Sequence, residues 1–511
     1  MRKLCRIIFS RYAVSALAIL LELVLYSLLL SNLANLSPFW LILILLSHVS
    51  AVIAIINRNV NPEYKVSWII VVTVLPIFGL VLYVVFYRRR MSRKDARHME
   101  KVAEMHKRGA ETTEGAFNEL AKESPAAAGK AMAILSDDYL ADVYTGTSSR
   151  IYPEGADMYR AMLTDLRRAE RYIFLEFFIV EKGEMWNGIH EIILQKIAAG
   201  VEVRMLYDDI GCMSTLPSHY DRTLRAQGIS CYRFGKITPK ATAAHNNRDH
   251  RKILVIDGRV AYTGGINIAD EYINRKERFG HWKDGGCRIV GSAVGAMVRL
   301  FLANYDLTSR NVSAIDDYLA SVRPTESDGG YYIPFGSGPY PIYTRSTGKD
   351  AFIDLINQAQ SYVYITTPYL IIDFDLTEAL CHAAKRGVDV KIVTPHIPDK
   401  KLVYLMTKSA YPHLMESGVS IYEYTPGFLH EKLVVADDLY AIVGTINFDY
   451  RSLAHHFENA VWMYGTPTVI DARDSYFATL SVSHRVTMEE AGLTFFEKVL
   501  RDGIRIFAPL L

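Results

Sequence analysis

Apolar residues are distributed along this chain in two distinct ways. Over the first 87 residues they form three long runs, 13–30, 38–56 and 66–87, each covering or nearly covering a bilayer at about 20 residues per crossing. From about residue 136 onward they form short β-branched and aromatic runs that alternate with amphipathic helical patterns, as at 187–199 and 373–386, the order that βαβ units produce. Between these regions, residues 88–130 are rich in Arg, Lys, Glu and Ala, with Met99, Val102, Met105 and His106 at helical spacing. The pattern predicts a membrane anchor of two or three hydrophobic helices over 1–90, a solvated linker helix over 91–135, and an α/β region over the remainder.

The α/β region is written twice. Residues 171–175 match 361–365, 199–203 match 386–390 and 228–232 match 418–422, which places repeats over 136–325 and 326–511. The strongest repeated element is His-x-Lys-x-x-x-x-Asp, present as His250, Lys252 and Asp257 and again, 180 residues later, as His430, Lys432 and Asp437. On a strand, residues two apart share a face, so each His projects with its Lys. The apolar residues 253–256 and 433–436 then read as buried strand, ending at Asp257-Gly258 and Asp437-Asp438. A second apolar run leads on to Gly264-Gly265-Ile266-Asn267 and Gly444-Thr445-Ile446-Asn447. One such frame alone reads as a core strand with a satisfied histidine; two incomplete copies predict one complete site between packed repeats. A histidine can attack phosphorus, and a lysine beside it offers fixed positive charge to the phosphoryl oxygens, with no metal or other cofactor.

These paired motifs resemble the HKD motifs of the phospholipase D superfamily, and nearly the whole chain is similar to bacterial cardiolipin synthases. The similarity is carried by Leu175-Glu176-Phe177-Phe178-Ile179, Asn247-Arg248-Asp249-His250-Arg251-Lys252, Thr263-Gly264-Gly265-Ile266-Asn267, Thr367-Pro368-Tyr369 and Gly444-Thr445-Ile446-Asn447-Phe448-Asp449. Asn61-Pro62-Glu63-Tyr64 and Pro76-Ile77-Phe78-Gly79 extend it into the anchor, and Thr445 stands where Ser is expected. The resemblance implies two pseudo-symmetric phospholipase D-like α/β sandwich repeats behind a transmembrane helical region. It implies transfer of a phosphatidyl group between two phosphatidylglycerol molecules, giving cardiolipin and glycerol through a phosphohistidine. His250 is then the nucleophile and His430 the acid and later the base, with Lys252 and Lys432 on the non-bridging oxygens and Asn267 and Asn447 as further substrate-binding donors. Asp257 and Asp437 are expected to orient the histidine of the opposite repeat, with Glu176 and Glu458 as additional positioning candidates.

Composition narrows the alternatives. A net charge of +2 speaks against a globally basic nucleic-acid binder, and five scattered cysteines form no Cys-x-x-Cys pair. Basic residues flank the anchor at Arg2, Lys3, Arg6 and Arg11 and again over 88–97, which predicts cytoplasm at both ends and an even number of crossings from three apolar runs. Glu22, costing roughly 2.5–3.5 kcal/mol inside a span, marks the first run as interfacial or re-entrant, unless the N-terminus lies outside and all three runs cross. Both arrangements put the catalytic region on the cytoplasmic face of the cell membrane, with phosphatidylglycerol and other phospholipids as partners. A hydrolytic phospholipase D or another phosphatidyltransferase would use the same residues with a different acceptor. A membrane-tethered nuclease fits the charge less well, and a non-catalytic scaffold has no need of two His and Lys sets. Residues 481–511 read either as a packed terminal helix and strand or as a membrane-contacting tail, and packing is the expectation.

Overall fold

A computed structural model describes residues 38–84, 97–104 and 114–506, apart from 59, 99, 103, 139, 237–246, 326, 340, 341 and 344. The chain divides into two units, residues 1–90 with 240–243 and 503–511, and the remainder. In the first, the uncharged helix Pro38–Ile56 runs 19 residues, about 28 Å at the α-helical rise. Asn61 caps the next helix, Pro62–Val74, by accepting from the Glu63 N–H at 2.9 Å. The run at 66–87, expected as one hydrophobic helix, is broken. Leu75 leaves helical geometry at φ −118° and ψ 78°, and Pro76 opens a separate seven-residue helix, Pro76–Leu82, because proline lacks the N–H and crowds the preceding turn. A side chain at Gly79 would collide with the Val71 backbone, so the two helices fold onto one another there. Trp68, Val71, Val72 and Tyr83 bury together, with the Trp68 and Tyr83 rings edge to face at 5.4 Å. Among the described residues no helix is long and apolar enough to cross a membrane, and the run at 13–30 lies outside them.

The second unit holds both repeats. The first supplies β1 (Thr147–Tyr152), β2 (Tyr172–Phe177), β3 (Glu202–Asp208), β4 (Ser230–Phe234), β5 (Lys252–Ile256), β6 (Val260–Gly264), the short β7 (His281–Lys283) and β8 (Gly286–Gly291). Seven of these form a sheet in the order β1-β8-β6-β5-β2-β3-β4. The second repeat supplies β9 (Tyr331–Ser337), β10 (Tyr362–Thr366), β11 (Leu370–Ile371), β12 (Asp389–Pro395), β13 (Ser420–Tyr424), β14 (Gly427–Leu429), β15 (Leu433–Ala436), β16 (Tyr440–Gly444), β17 (Phe448–Asp449), β18 (Glu458–Tyr464) and β19 (Ser483–Arg485). Its sheet runs β19-β13-β12-β10-β15-β16-β18-β9, which is the first order with β19 added at one edge. Strands β2, β3 and β4 pair in parallel, as do β10, β12 and β13, with the crossover helices that the alternating pattern predicts. The motif strands β5 and β15 instead open antiparallel hairpins with β6 and β16.

Both faces of each sheet are buried, which explains the continuous apolar runs. Ile173 and Leu175 of β2 face an outer layer with Met158, Trp186 and Ile189, while Phe174 faces inward. The inward residues Phe174, Val255 and Ile289 share one core with Val435, Val443 and Met463 of the other repeat. The segment expected as a solvated linker is instead part of this unit. Helices Glu114–Glu123 and Pro125–Asp137 bury Leu120, Ala127, Ala131 and Ile134 against the second repeat, and Val102 joins the core between the repeats. The C-terminus packs only in part. Strand β19 pairs with β13, but helix Phe495–Arg505 buries none of its residues, leaving Phe495 and Phe496 74% and 83% exposed.

Candidate active site

Each motif histidine lies just before its strand, held by the other repeat. The backbone N–H of His250 donates to the Phe457 carbonyl at 2.8 Å, and that of His430 donates to the Lys283 carbonyl at 2.7 Å. Short parallel pairings run alongside, with Asp249 bridged to Phe457 and β14 zipped to β7. The residue after each accepting carbonyl is acidic and takes the same histidine's ring. His250 Nδ1 lies 2.9 and 3.0 Å from the two oxygens of Glu458, and His430 Nδ1 lies 2.6 Å from Asp284 Oδ2. The ionised Glu458 accepts, so on His250 the proton sits on Nδ1 and leaves Nε2 as the nitrogen with a free lone pair. The pairing is reciprocal: the first repeat's histidine uses the second repeat's carboxylate, and the reverse.

The opposite-repeat carboxylates are therefore Glu458 and Asp284, not the motif aspartates. Asp257 lies at the far end of β5, about 16 Å from Lys252 at the strand rise. It occupies a hairpin turn at φ +54° beside Gly258 at φ +65°, a turn whose two central residues both take positive φ. Its carboxylate accepts three backbone N–H groups, from Glu170, Arg171 and Tyr172 at 2.7–2.8 Å, and so pins the start of β2. Asp437, at φ +56°, does the same for Gln360, Ser361 and Tyr362 at 2.8–3.0 Å. Both motif aspartates thus anchor strands. Glu176 also misses the histidines: it accepts from Asn304 Nδ2 at 2.7 Å. Burial raises both it and its neighbour Asp249 above the usual carboxylate range.

Asp284 escaped the sequence reading, although its repeat-mate Glu458 was a positioning candidate. Strand register shows the equivalence: Gly264 pairs with Gly286 and Gly444 with Ala460, so Asp284 and Glu458 each stand two residues before the matching position. The residues behind them differ to suit. The Thr445 hydroxyl donates to Glu458, while a side chain at the equivalent Gly265 would strike the Asp284 carboxylate. Thr445 thus supplies the hydroxyl expected of Ser at that position.

Lys252 and Lys432 lie beside the histidines as the alternation predicts, each donating to its own histidine's carbonyl, for Lys252 at 2.6 Å. Burial lowers Lys252 to about 7 and Lys432 to about 8, opposed by the nearby carboxylates. Burial also lowers His250, to about 3, although Glu458 opposes the shift. His430 falls well below its ordinary value through burial and the two lysines. Burial alone would raise Glu458, but His250, the neighbouring His456 and Lys252 hold it well below the usual carboxylate range. Asp284 moves the other way, pushed by burial up to about 8 against Lys432 and the Gly285 N–H. Asn267 is fully engaged by protein, accepting from the Ile179 N–H at 3.0 Å and donating to Tyr272 at 2.7 Å, and the Tyr272 ring edges His430 at 5.5 Å. Asn447 is buried with its side-chain oxygen unpartnered.

A third histidine joins the site without having been signalled by either motif. His456 is 8% exposed, its ring lies 5.6 Å from that of His250, and neither ring nitrogen has a hydrogen-bond partner. Ligand atoms of His250, His456 and Glu458 lie within 4.8 Å of one another.

The family signature described as "Cardiolipin synthase, PLD-like domain" matches residues 162–278 and 352–480, and "Phospholipase_D-nuclease N-terminal" matches 48–88. A Streptococcus mutans protein labelled "Uncharacterized protein" is 38% identical over 465 residues, 91% of this chain and 100% of its own length. A "Cardiolipin synthase" of Alkalihalophilus pseudofirmus is 32% identical over 472 residues, 90% of this chain and 91% of that one. Among solved structures, phosphatidylserine synthase from Haemophilus influenzae shares the fold at a TM-score of 0.54 and 15% identity, over 71% of this chain and 93% of that one.

Proposed function

The chain belongs to the bacterial cardiolipin synthase family, and from that membership we propose that it converts two phosphatidylglycerol molecules into cardiolipin and glycerol. The observation that carries this reading is the reciprocal histidine–carboxylate exchange between repeats, which supplies two imidazoles of different character in one place. His250 faces a fully ionised Glu458, so its Nε2 is unprotonated and made more basic by the carboxylate behind it. That nitrogen attacks phosphorus, forming a P–N bond as the P–O bond to glycerol breaks. The His430–Asp284 pair retains a proton near neutral pH, because burial raises the carboxyl, and delivers it to the departing glycerol oxygen. The same pair then takes the proton from the headgroup hydroxyl of a second phosphatidylglycerol, whose oxygen displaces His250 from phosphorus. Atoms and charges balance over the two steps.

Lys252 and Lys432 carry the non-bridging oxygens; the diester anion restores the charge that burial drains from them. Asn447 turns its unpartnered oxygen to the headgroup hydroxyls, while Asn267 acts by holding Tyr272 against His430.

Donor and acceptor both reside in the bilayer, and the chain has two features that suit that interface. One is the hydrophobic N-terminal region, which anchors the enzyme with its catalytic unit on the cytoplasmic side, where the basic cluster over 88–97 lies. The other is helix Phe495–Arg505, whose exposed Phe495, Phe496, Val499 and Leu500 form one stripe beside Lys498, Arg501 and Arg505. That combination rests on an anionic lipid surface. Labelled phosphatidylglycerol given to the reconstituted enzyme tests the reaction. Cardiolipin and free glycerol are expected; phosphatidic acid as the main product would make water the acceptor and the enzyme a hydrolase.

A further inference from the structure

His456 carries no proton or phosphoryl group in the transfer reaction, and its polar neighbour is Glu458, at 3.8 Å. A buried imidazole with both nitrogens unsatisfied carries a desolvation cost that native structures rarely leave uncompensated. Its Nδ1 lies 3.8 Å from Glu458 Oε1, and His250 Nδ1 lies 2.9 Å from that same oxygen. A tetrahedral zinc ion with bonds of about 2.0–2.1 Å holds its ligand atoms about 3.3 Å apart, and the two observed separations bracket that value. Two imidazoles and a carboxylate are a borderline-soft donor set that suits zinc and its neighbours over magnesium or calcium.

We propose that His456, Glu458 and His250 bind one divalent transition-metal ion of the zinc class, and that this ion switches transfer off. The inhibition follows from which nitrogen is used. Coordination uses the lone pair of His250 Nδ1 in place of its bond to Glu458, so the neutral ring's single proton moves from Nδ1 to Nε2, the nitrogen that must attack phosphorus. Glu458 is at the same time drawn to the cation. The metal-binding half stands by itself, whereas the inhibitory half rests on the reading of His250 as nucleophile.

The test uses the full-length enzyme in detergent, stripped by a chelator and dialysed against zinc. Wild type is expected to bind one ion per chain and to lose phosphatidylglycerol transfer reversibly, with a chelator restoring it. His456→Asn is expected to keep its metal-free activity and to need at least about tenfold more zinc for inhibition, the loss that even indirect support of a ligand carries. No bound zinc in wild type, or a His456→Asn enzyme that binds zinc and is inhibited as wild type is, would overturn the proposal. Should that variant fail to fold, cobalt added to wild type decides: visible ligand-field bands that zinc abolishes support the site, and a spectrum of free aqueous cobalt overturns it. A chain that binds zinc through His456 but makes no cardiolipin would uphold the site and refute the transferase reading.

Discussion

Asp284 and Glu458 differ by one methylene, and the residues behind them, Gly265 and Thr445, differ in the compensating sense. Each carboxylate fixes a histidine tautomer, so Glu458→Gln and Asp284→Asn should preserve the fold. Each should lower kcat by about 10³–10⁴-fold, the cost of presenting the wrong tautomer; steady-state kinetics beside thermal melts would separate the two effects. Asp257→Ala should behave oppositely. It strips three backbone N–H groups of their acceptor, so stability should fall by about 1–3 kcal/mol while kcat of the folded enzyme stays near wild type, which denaturation paired with active-site-normalised rates would show. The pH profile should be one-sided. His250 stays neutral down to about 3, so no acid limb falls in the ordinary range. As pH rises through about 7 to 8, Lys252 and then Lys432 lose their charge and the Asp284–His430 pair its proton, so kcat/KM should decline there. In Asp284→Asn that alkaline limb should move, because its titrating carboxyl is gone. The sequence made the histidines and lysines legible through their spacing. It hid the aspartates' task, because a residue that ends a strand at positive φ and one that orients a ring look alike until the hairpin is seen.

At the scale of elements, the alternation of apolar runs with helical patterns was enough to find the parallel half of each sheet. The antiparallel half was less visible, since strands buried on both faces show no period to distinguish their pairing. Residues 114–137 misled for a related reason: alanine-rich helices with Lys and Glu read as solvated, yet Ala127 and Ala131 are small enough to sit flat against the second repeat. Pro76 was visible in the sequence, but the hydrophobicity around it outweighed its effect on the run. Helix Phe495–Arg505 builds its own start through a capping box, with the Thr494 N–H donating to Glu497 at 2.9 Å and the Glu497 N–H returning to Thr494 at 3.4 Å. It is thus formed without a core to pack on. Phe496→Asp should leave the melting transition unchanged but weaken turnover on phosphatidylglycerol vesicles relative to detergent-dispersed lipid; an equal effect on both would remove the helix from the lipid interface.

At the scale of the whole molecule, duplication explains why neither repeat holds a finished site. Strand for strand the two sheets match, and the first motif's ring is oriented by a carboxylate from β18 of the second. The residues shared between repeats, Phe457 with His250 and Lys283 with His430, bind the halves into one unit whose core is common to both. The most direct measurement is transfer from labelled phosphatidylglycerol by wild type, His250→Ala and His430→Ala side by side. A single composite site predicts that both variants fall to background, each despite an intact second motif. Half of the wild-type rate surviving in either variant would mean two independent sites and would contradict the account.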